Sequence, residues 1–166
     1  MEDSSILVGQ EGQKGIARVV GKGSFKNARH LVKYVEKATQ AGVRDFVVDL
    51  QDCVHMDSTF MGVMAGLAAN RRRENLSMPH VININARNLE LLQTLGLDRI
   101  LTIETHSTPA EPANLQPVKD SGSADKVEIA QTMLKAHQNL IDLDPKNAAK
   151  FQDVMVYLKD KLGLNE

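Results

Sequence analysis

The stretch Val47-Val-Asp-Leu-Gln-Asp-Cys-Val-His-Met-Asp57-Ser58-Thr59-Phe-Met-Gly62 decides the fold. Its first residues continue an apolar run from Phe46, which is typical of a strand buried on both faces of a sheet. We predict a polar turn over residues 51–57, and then a helix from about Ser58 to Asn75. Small residues recur along this helix and predict a close approach to the sheet: Gly62, Ala65, Gly66 and Ala69.

Strands and helices also alternate on both sides of this stretch. Two β-branched runs over 6–8 and 15–20, separated by glycines, predict a hairpin. Apolar residues at three-to-four spacing over 25–38 predict the first helix. Further strands at 80–84 and 100–103 enclose a short helix. We therefore predict an α/β domain over residues 1–104, with a mixed sheet flanked by helices.

The composition changes after residue 104. Residues 105–124 contain three of the five prolines, together with Ser, Thr and Gly, and this predicts a linker. Residues 125–166 carry two apolar stripes at helical spacing, so we predict a C-terminal helical hairpin. The stripe has to pack on the α/β domain, on a second copy or on a partner. His137 falls on this stripe, where a hydrogen-bonded packing histidine is expected.

The composition excludes several classes of function. The formal net charge of the 166 residues is −1, whereas a dedicated nucleic-acid binder usually carries a basic face. One cysteine, Cys53, makes neither a disulfide nor a zinc site. No run approaches the ~20 apolar residues of a membrane span. The start of the chain is acidic, so we expect no signal peptide and a cytoplasmic protein. We expect the Arg71-Arg72-Arg73 run to lie on a solvated face of the second helix.

The Asp57-Ser58-Thr59 sequence before the second helix has two interpretations. In one, Asp57 or Ser58 caps the helix. In the other, a hydroxyl at the helix N-terminus accepts a phosphate, which backbone N–H groups and the helix dipole stabilise. The residues alone leave both open.

Two motifs resemble the STAS family, the fold of bacterial anti-sigma-factor antagonists and of the cytoplasmic domains of sulfate transporters. The family's hallmark, Asp-Ser-Ser/Ala-Gly-Leu-Gly at the start of the second helix, is matched by Asp57-Ser58-Thr59-Phe60-Met61-Gly62. A second signature, Leu-x-x-x-Gly-Leu-x-x-Ile/Leu, is matched by the segment from Leu92 to Ile100. The resemblance covers about residues 5–104. The sequence departs from it where Phe60 and Met61 stand at the family's glycine and leucine.

The resemblance implies a phosphorylation-controlled antagonist without catalytic residues, metal or cofactor. Ser58 maps to the phosphoacceptor, and the partner-binding surface maps to Asp57, Ser58, Thr59, Phe60 and Met61. The implied partners are an anti-sigma factor with serine kinase activity, which binds unmodified Ser58, and a serine phosphatase. Phe60 would alter kinase recognition or serve as a contact for the partner.

Three alternatives stay open. The domain could be a constitutive scaffold that self-associates through the C-terminal helices, or a STAS domain that binds a nucleotide or a lipid. A serine hydrolase built on Ser58 is disfavoured, because no Gly-x-Ser-x-Gly elbow surrounds it and His55 is merely near in sequence. Cys53 and His55 lack the further ligands that a metal site needs.

Overall fold

The computed structural model describes residues 4–107, 114–118 and 125–164. In this part of the chain, seven strands form a mixed sheet in the order β6-β5-β3-β2-β1-β7, with β4 beside β2. β1 and β2 form the predicted antiparallel hairpin, and β2, β3, β5 and β6 run parallel to one another. The strands are β1 (Ser5–Glu11), β2 (Lys14–Gly23), β3 (Asp45–Asp49), β4 (Cys53–Met56), β5 (His80–Ile82), β6 (Thr102–Glu104) and β7 (Gln116–Pro117).

Five α-helices accompany the sheet in the described residues. They are α1 (Ala28–Gln40), α2 (Ser58–Arg73), α3 (Ala86–Thr94), α4 (Lys126–Leu143) and α5 (Asn147–Lys161). The predicted mixed α/β sheet and the C-terminal helical hairpin are therefore both confirmed.

The segment predicted as a polar turn over 51–57 contains strand β4, so this prediction was wrong. β4 pairs in parallel with the last residues of β2, where the register shifts between Gly21 and Lys22. Gly21 has a φ of +80°, which a residue with a side chain rarely adopts. This irregular end of β2 leaves room for β4, and β4 leads the chain directly into α2.

Helix α2 is covered on more than one side. Seven consecutive residues, Thr59–Ala65, are buried, whereas a helix at the surface buries only one stripe. One side of α2 belongs to the core that it shares with the sheet, and α4 covers another. The sequence prediction assigned all the small residues of α2 to the sheet, but Gly62 and Gly66 face α4 instead.

The apolar stripe of the C-terminal hairpin packs on the α/β domain of the same chain. Ala136 and Leu140 of α4 belong to the same hydrophobic cluster as the sheet, and Phe151 of α5 packs against it. Within the predicted linker, β7 adds to the free edge of β1. None of the helices in the described residues is both long and apolar enough to cross a membrane.

Candidate functional site

Asp57 caps helix α2 and joins it to the end of β2. Its Oδ1 accepts a hydrogen bond from the N–H of Phe60 at 2.9 Å, and its Oδ2 accepts one from the N–H of Phe25 at 3.0 Å. The N–H of Asp57 in turn donates to the carbonyl of Gly23 at 2.9 Å. An aspartate at this position satisfies a free N–H of the first turn and complements the helix dipole. Of the two capping residues that the sequence allowed, the structure therefore selects Asp57.

The hydroxyl of Ser58 contacts the C-terminal hairpin. Ser58 is the first residue of α2, and its Oγ lies 2.8 Å from Nε2 of His137 on α4. The two residues are 79 positions apart in the sequence. The hydroxyl is therefore used in a tertiary contact rather than as a cap.

His137 contacts residues of α2, α4 and α5. Its side chain is buried, with 2 % of the residue exposed. Its Nδ1 lies 2.7 Å from the carbonyl oxygen of Met133, one turn earlier on α4. The ring of Phe151 on α5 packs edge-on at 4.9 Å between centroids. The prediction of a hydrogen-bonded packing histidine is confirmed.

The contact with the Met133 carbonyl places a hydrogen on Nδ1 of His137. A carbonyl oxygen can only accept, so the Nδ1 of His137 donates to Met133. In the neutral imidazole, Nε2 then has a lone pair and no hydrogen, and it can only accept. With a neutral imidazole, Ser58 Oγ–H is therefore the donor to His137.

Beside this bond, α2 and α4 approach each other at two glycines. A Cβ built on Gly62 would lie 2.8 Å from the Cβ of Ala136 and closer still to the Ala136 carbonyl. A Cβ on Gly66 would meet the amide of Asn139. The same amide donates to the carbonyl of Gly62 at 3.2 Å. Ser58, Gly62 and Gly66 are spaced by four, so one face of α2 receives α4.

The other predicted partner-binding residues lie mostly inside the domain. Thr59, Phe60 and Met61 are buried, with at most 2 % of each exposed. The Phe60 ring packs over Gly23, where an added Cβ would lie 2.9 Å from ring atoms. Phe60 therefore fills the core between β2 and α2, and in this conformation it offers no contact to a partner. This corrects the role expected for its side chain.

Two further contacts hold the hairpin against the α/β domain. The buried Nδ2 of Asn147, at the start of α5, donates to the carbonyls of Leu95 and Leu140 at 3.0 and 2.8 Å. Arg99 pairs with Asp144, which precedes α5, at 2.9 Å. The Lys146 N–H and the Arg99 guanidinium lower the pKa of the Asp144 carboxyl.

The remaining candidate residues serve the fold. Burial raises the pKa of the Cys53 thiol, which makes it a poor nucleophile at neutral pH. Residues 4–107, 114–118 and 125–164 contain no group of three His, Cys, Asp or Glu that could hold a metal ion. Arg71, expected on a solvated face, is buried: it bonds the carbonyls of Arg44 and Ser77.

A groove of about 570 Å³ lies between α1, α2 and α4. Val35, Leu67, Arg73 and Lys135 contribute to its walls, but neither Ser58 nor His137 does. The groove therefore does not give a small substrate access to the Ser58 hydroxyl.

Comparison with known proteins places this geometry in a family. Residues 6–103 match the family model described as "Mlab, STAS domain". Among solved structures, tm1081 of Thermotoga maritima, which carries the description anti-sigma factor antagonist, is 19% identical. The match covers 58% of this chain and 83% of that one, with a TM-score of 0.53. The anti-sigma factor antagonist SpoIIAA in its unphosphorylated form is 13% identical over 63% of this chain and 90% of its own, with a TM-score of 0.52.

The phosphorylated form of SpoIIAA, a Bacillus cell fate determinant, gives a TM-score of 0.50 at 14% identity, over 60% of this chain and 90% of its own. No curated protein sequence matches the chain at a significant level. At such identities the solved structures support the fold alone, whereas the family match extends over more than half of the chain. The chain therefore belongs to the STAS family.

Proposed function

We propose that the protein is an anti-sigma-factor antagonist controlled by phosphorylation of Ser58. The observation that carries the proposal is the position of Ser58: it is the first residue of α2, directly after the Asp57 cap, in a STAS fold. Unmodified, the surface around Asp57 and Ser58 would bind an anti-sigma factor that is also a serine kinase. Binding would free the regulated sigma factor.

The switch follows from electrostatics. A phosphate would add about 1.5 to 2 negative charges at Ser58, directly beside the carboxylate of Asp57. A partner surface that fits the unmodified protein would then meet added negative charge, and the phosphate would lose its hydrating water on binding. A tenfold loss of affinity requires only about 1.4 kcal/mol. A serine phosphatase would restore the unmodified surface.

The proposal assigns no catalysis to the chain itself. The Ser58–His137 pair has the hydrogen bond of a nucleophile and its base, but a carbonyl rather than a carboxylate orients the imidazole. His137 is also buried, with the ring of Phe151 against it, so a substrate does not reach the imidazole while the hairpin is docked. ATP and Mg²⁺ would belong to the partner kinase. The proposal places the protein in the cytoplasm, with sigma factors and ATP.

The test is to map phosphate on the full-length chain. The protein is incubated with ATP, Mg²⁺ and each purified anti-sigma factor of serine-kinase type from the same genome, and the sites are located by mass spectrometry. We expect phosphate at Ser58 in the wild type and none in Ser58→Ala. Ser24→Ala is the matched control, because Ser24 precedes another helix of the same domain, and it should still be modified at Ser58. Phosphate confined to other residues would contradict the proposal.

A further inference from the structure

The C-terminal hairpin is an addition to the part of the chain that defines the family. The family match ends at residue 103, whereas α4 begins at Lys126. Yet α4 covers the face of α2 that starts at Ser58, and His137 bonds the hydroxyl on which the proposed function depends.

The contact depends on the chemical state of Ser58. With Nδ1 donating to the Met133 carbonyl, Nε2 of a neutral His137 accepts the hydrogen of Ser58 Oγ across 2.8 Å. Phosphorylation replaces that hydrogen. The phosphate is larger than the 2.8 Å gap that separates Ser58 Oγ from Nε2 of the buried His137, so it does not fit along this bond while α4 stays docked. It would also bring about 1.5 to 2 negative charges to a face that α4 covers, and a covered charge is costly unless it is paired.

The hairpin has little freedom to move aside and remain docked. The backbone of α4 at Ala136 already lies against Gly62 without room for a methyl group. Asn139 and Asn147 fix the register of α4 and α5 through carbonyls of the α/β domain. A phosphate at Ser58 would therefore disturb the docking of the whole hairpin rather than a single side chain.

We propose that the hairpin is an intramolecular lid that closes on the unmodified hydroxyl of Ser58 and is released when that hydroxyl carries a phosphate. The inference rests on the proposed function for the identity of the modification. In the closed state, α4 occupies the face that the anti-sigma factor would use, so the partner has to compete with the lid. The lid and the anti-sigma factor would thus both bind the unmodified hydroxyl of Ser58.

The test compares Ser58→Asp with Ser58→Asn in the full chain by hydrogen exchange. The two side chains have nearly the same shape, but only aspartate adds a negative charge at the covered face, and only the asparagine amide can donate to a neutral His137. We expect Ser58→Asp to raise exchange across α4 by roughly tenfold or more, which corresponds to about 1.4 kcal/mol. Ser58→Asn should stay close to the wild type. Exchange in α1 reports whether each variant remains folded.

A second substitution reverses the donor and the acceptor. His137→Gln places an amide donor near the position of Nε2, so it should restore protection of α4 in the Ser58→Asp background. Unchanged exchange in Ser58→Asp, equal release by Asp and Asn, or no rescue by glutamine would each overturn the lid. None of these readouts needs a kinase. If the exchange results overturn the lid, the mapping of phosphate at Ser58 is unaffected. If no phosphate is found at Ser58, the exchange experiments still test the lid.

Discussion

The substitution Gly62→Ala should open the hairpin without unfolding the α/β domain. The new methyl group would lie 2.8 Å from the Cβ of Ala136 and nearer to its carbonyl. Because the obstacle is backbone, α4 has to retreat by about 1 Å to regain ordinary contact distances. A retreat of that size also stretches the 2.8 Å bond between Ser58 and His137 beyond hydrogen-bonding range.

The magnitude follows from these two losses. Overpacking of this kind costs about 1–3 kcal/mol, and the lost hydrogen bond costs about 1 kcal/mol more. The intrinsic helix preference for alanine over glycine acts on α2 in both the docked and the undocked state, so it cancels. Docking should weaken by about 2–4 kcal/mol, which is roughly a 30-fold to 900-fold rise in the opening equilibrium.

The assay is hydrogen exchange of α4 and α5 in the full chain, with α1 as the internal reference. Gly66→Ala is the matched control, because the methyl group there would meet the end of the Asn139 side chain, which can swing away. Its effect should be smaller, about 1 kcal/mol, because only the bond from Asn139 to the Gly62 carbonyl is lost. Equal effects of the two substitutions, or unchanged protection of α4 in Gly62→Ala, would refute the assigned helix contact.

Three further predictions concern the hairpin and the core. Asn147→Ala removes the donor to the Leu95 carbonyl, whereas the Leu140 carbonyl keeps the N–H of Asp144, and it should cost about 1–3 kcal/mol of docking, measured by exchange in α5. Phe60→Ala removes a ring with no exposed surface and should cost about 3–5 kcal/mol in urea unfolding. The Asp144 carboxyl has a pKa below its ordinary 3.8, chiefly because of the Lys146 N–H. The Lys146 bond lies within the hairpin, so the part that concerns docking is the Arg99 ion pair, which is complete above pH 3.8 and is lost as the pH falls through the lowered pKa. NMR signals of α5 should follow this loss.

Two of these predictions have a control variant. Phe25→Ala removes a ring that is 39% exposed and should change stability by no more than about 0.5 kcal/mol. Arg99→Gln removes the ion pair that joins Asp144 to the α/β domain, so the acid-induced loss of docking should disappear, whereas the Lys146 bond stays within the hairpin. A Phe60→Ala protein as stable as Phe25→Ala would contradict the core position of Phe60. Docking of Asn147→Ala as strong as in the wild type would contradict its anchoring role.

The order of strands and helices and the STAS motifs could be predicted because they depend on short-range patterns. The capping of α2 depends on neighbouring residues, and the hairpin of β1 and β2 on the glycines between two β-branched runs. β4 was missed because it is only four residues long and pairs at an irregular end of β2. Arg71 was missed because its burial depends on carbonyls that the fold brings in from Arg44 and Ser77.

The contact between Ser58 and His137 could not be predicted, because it depends on how the hairpin docks. The linker sets no register for α4, and the sequence left open whether the stripe packs on its own domain. One signal was present: Ser58, Gly62 and Gly66 share one face of α2. Two glycines four residues apart leave a shallow face against which a second helix can pack. From the sequence alone, these glycines were instead predicted to pack against the sheet.

The affinity of the full chain for the anti-sigma factor kinase that modifies it tests the central claim most directly. Titration calorimetry would compare unmodified protein with protein phosphorylated at Ser58, at equal salt. We predict that the phosphate weakens binding by roughly tenfold or more, or about 1.4 kcal/mol. Equal affinity in the two states would contradict the assignment of Ser58 as the residue that controls the partner.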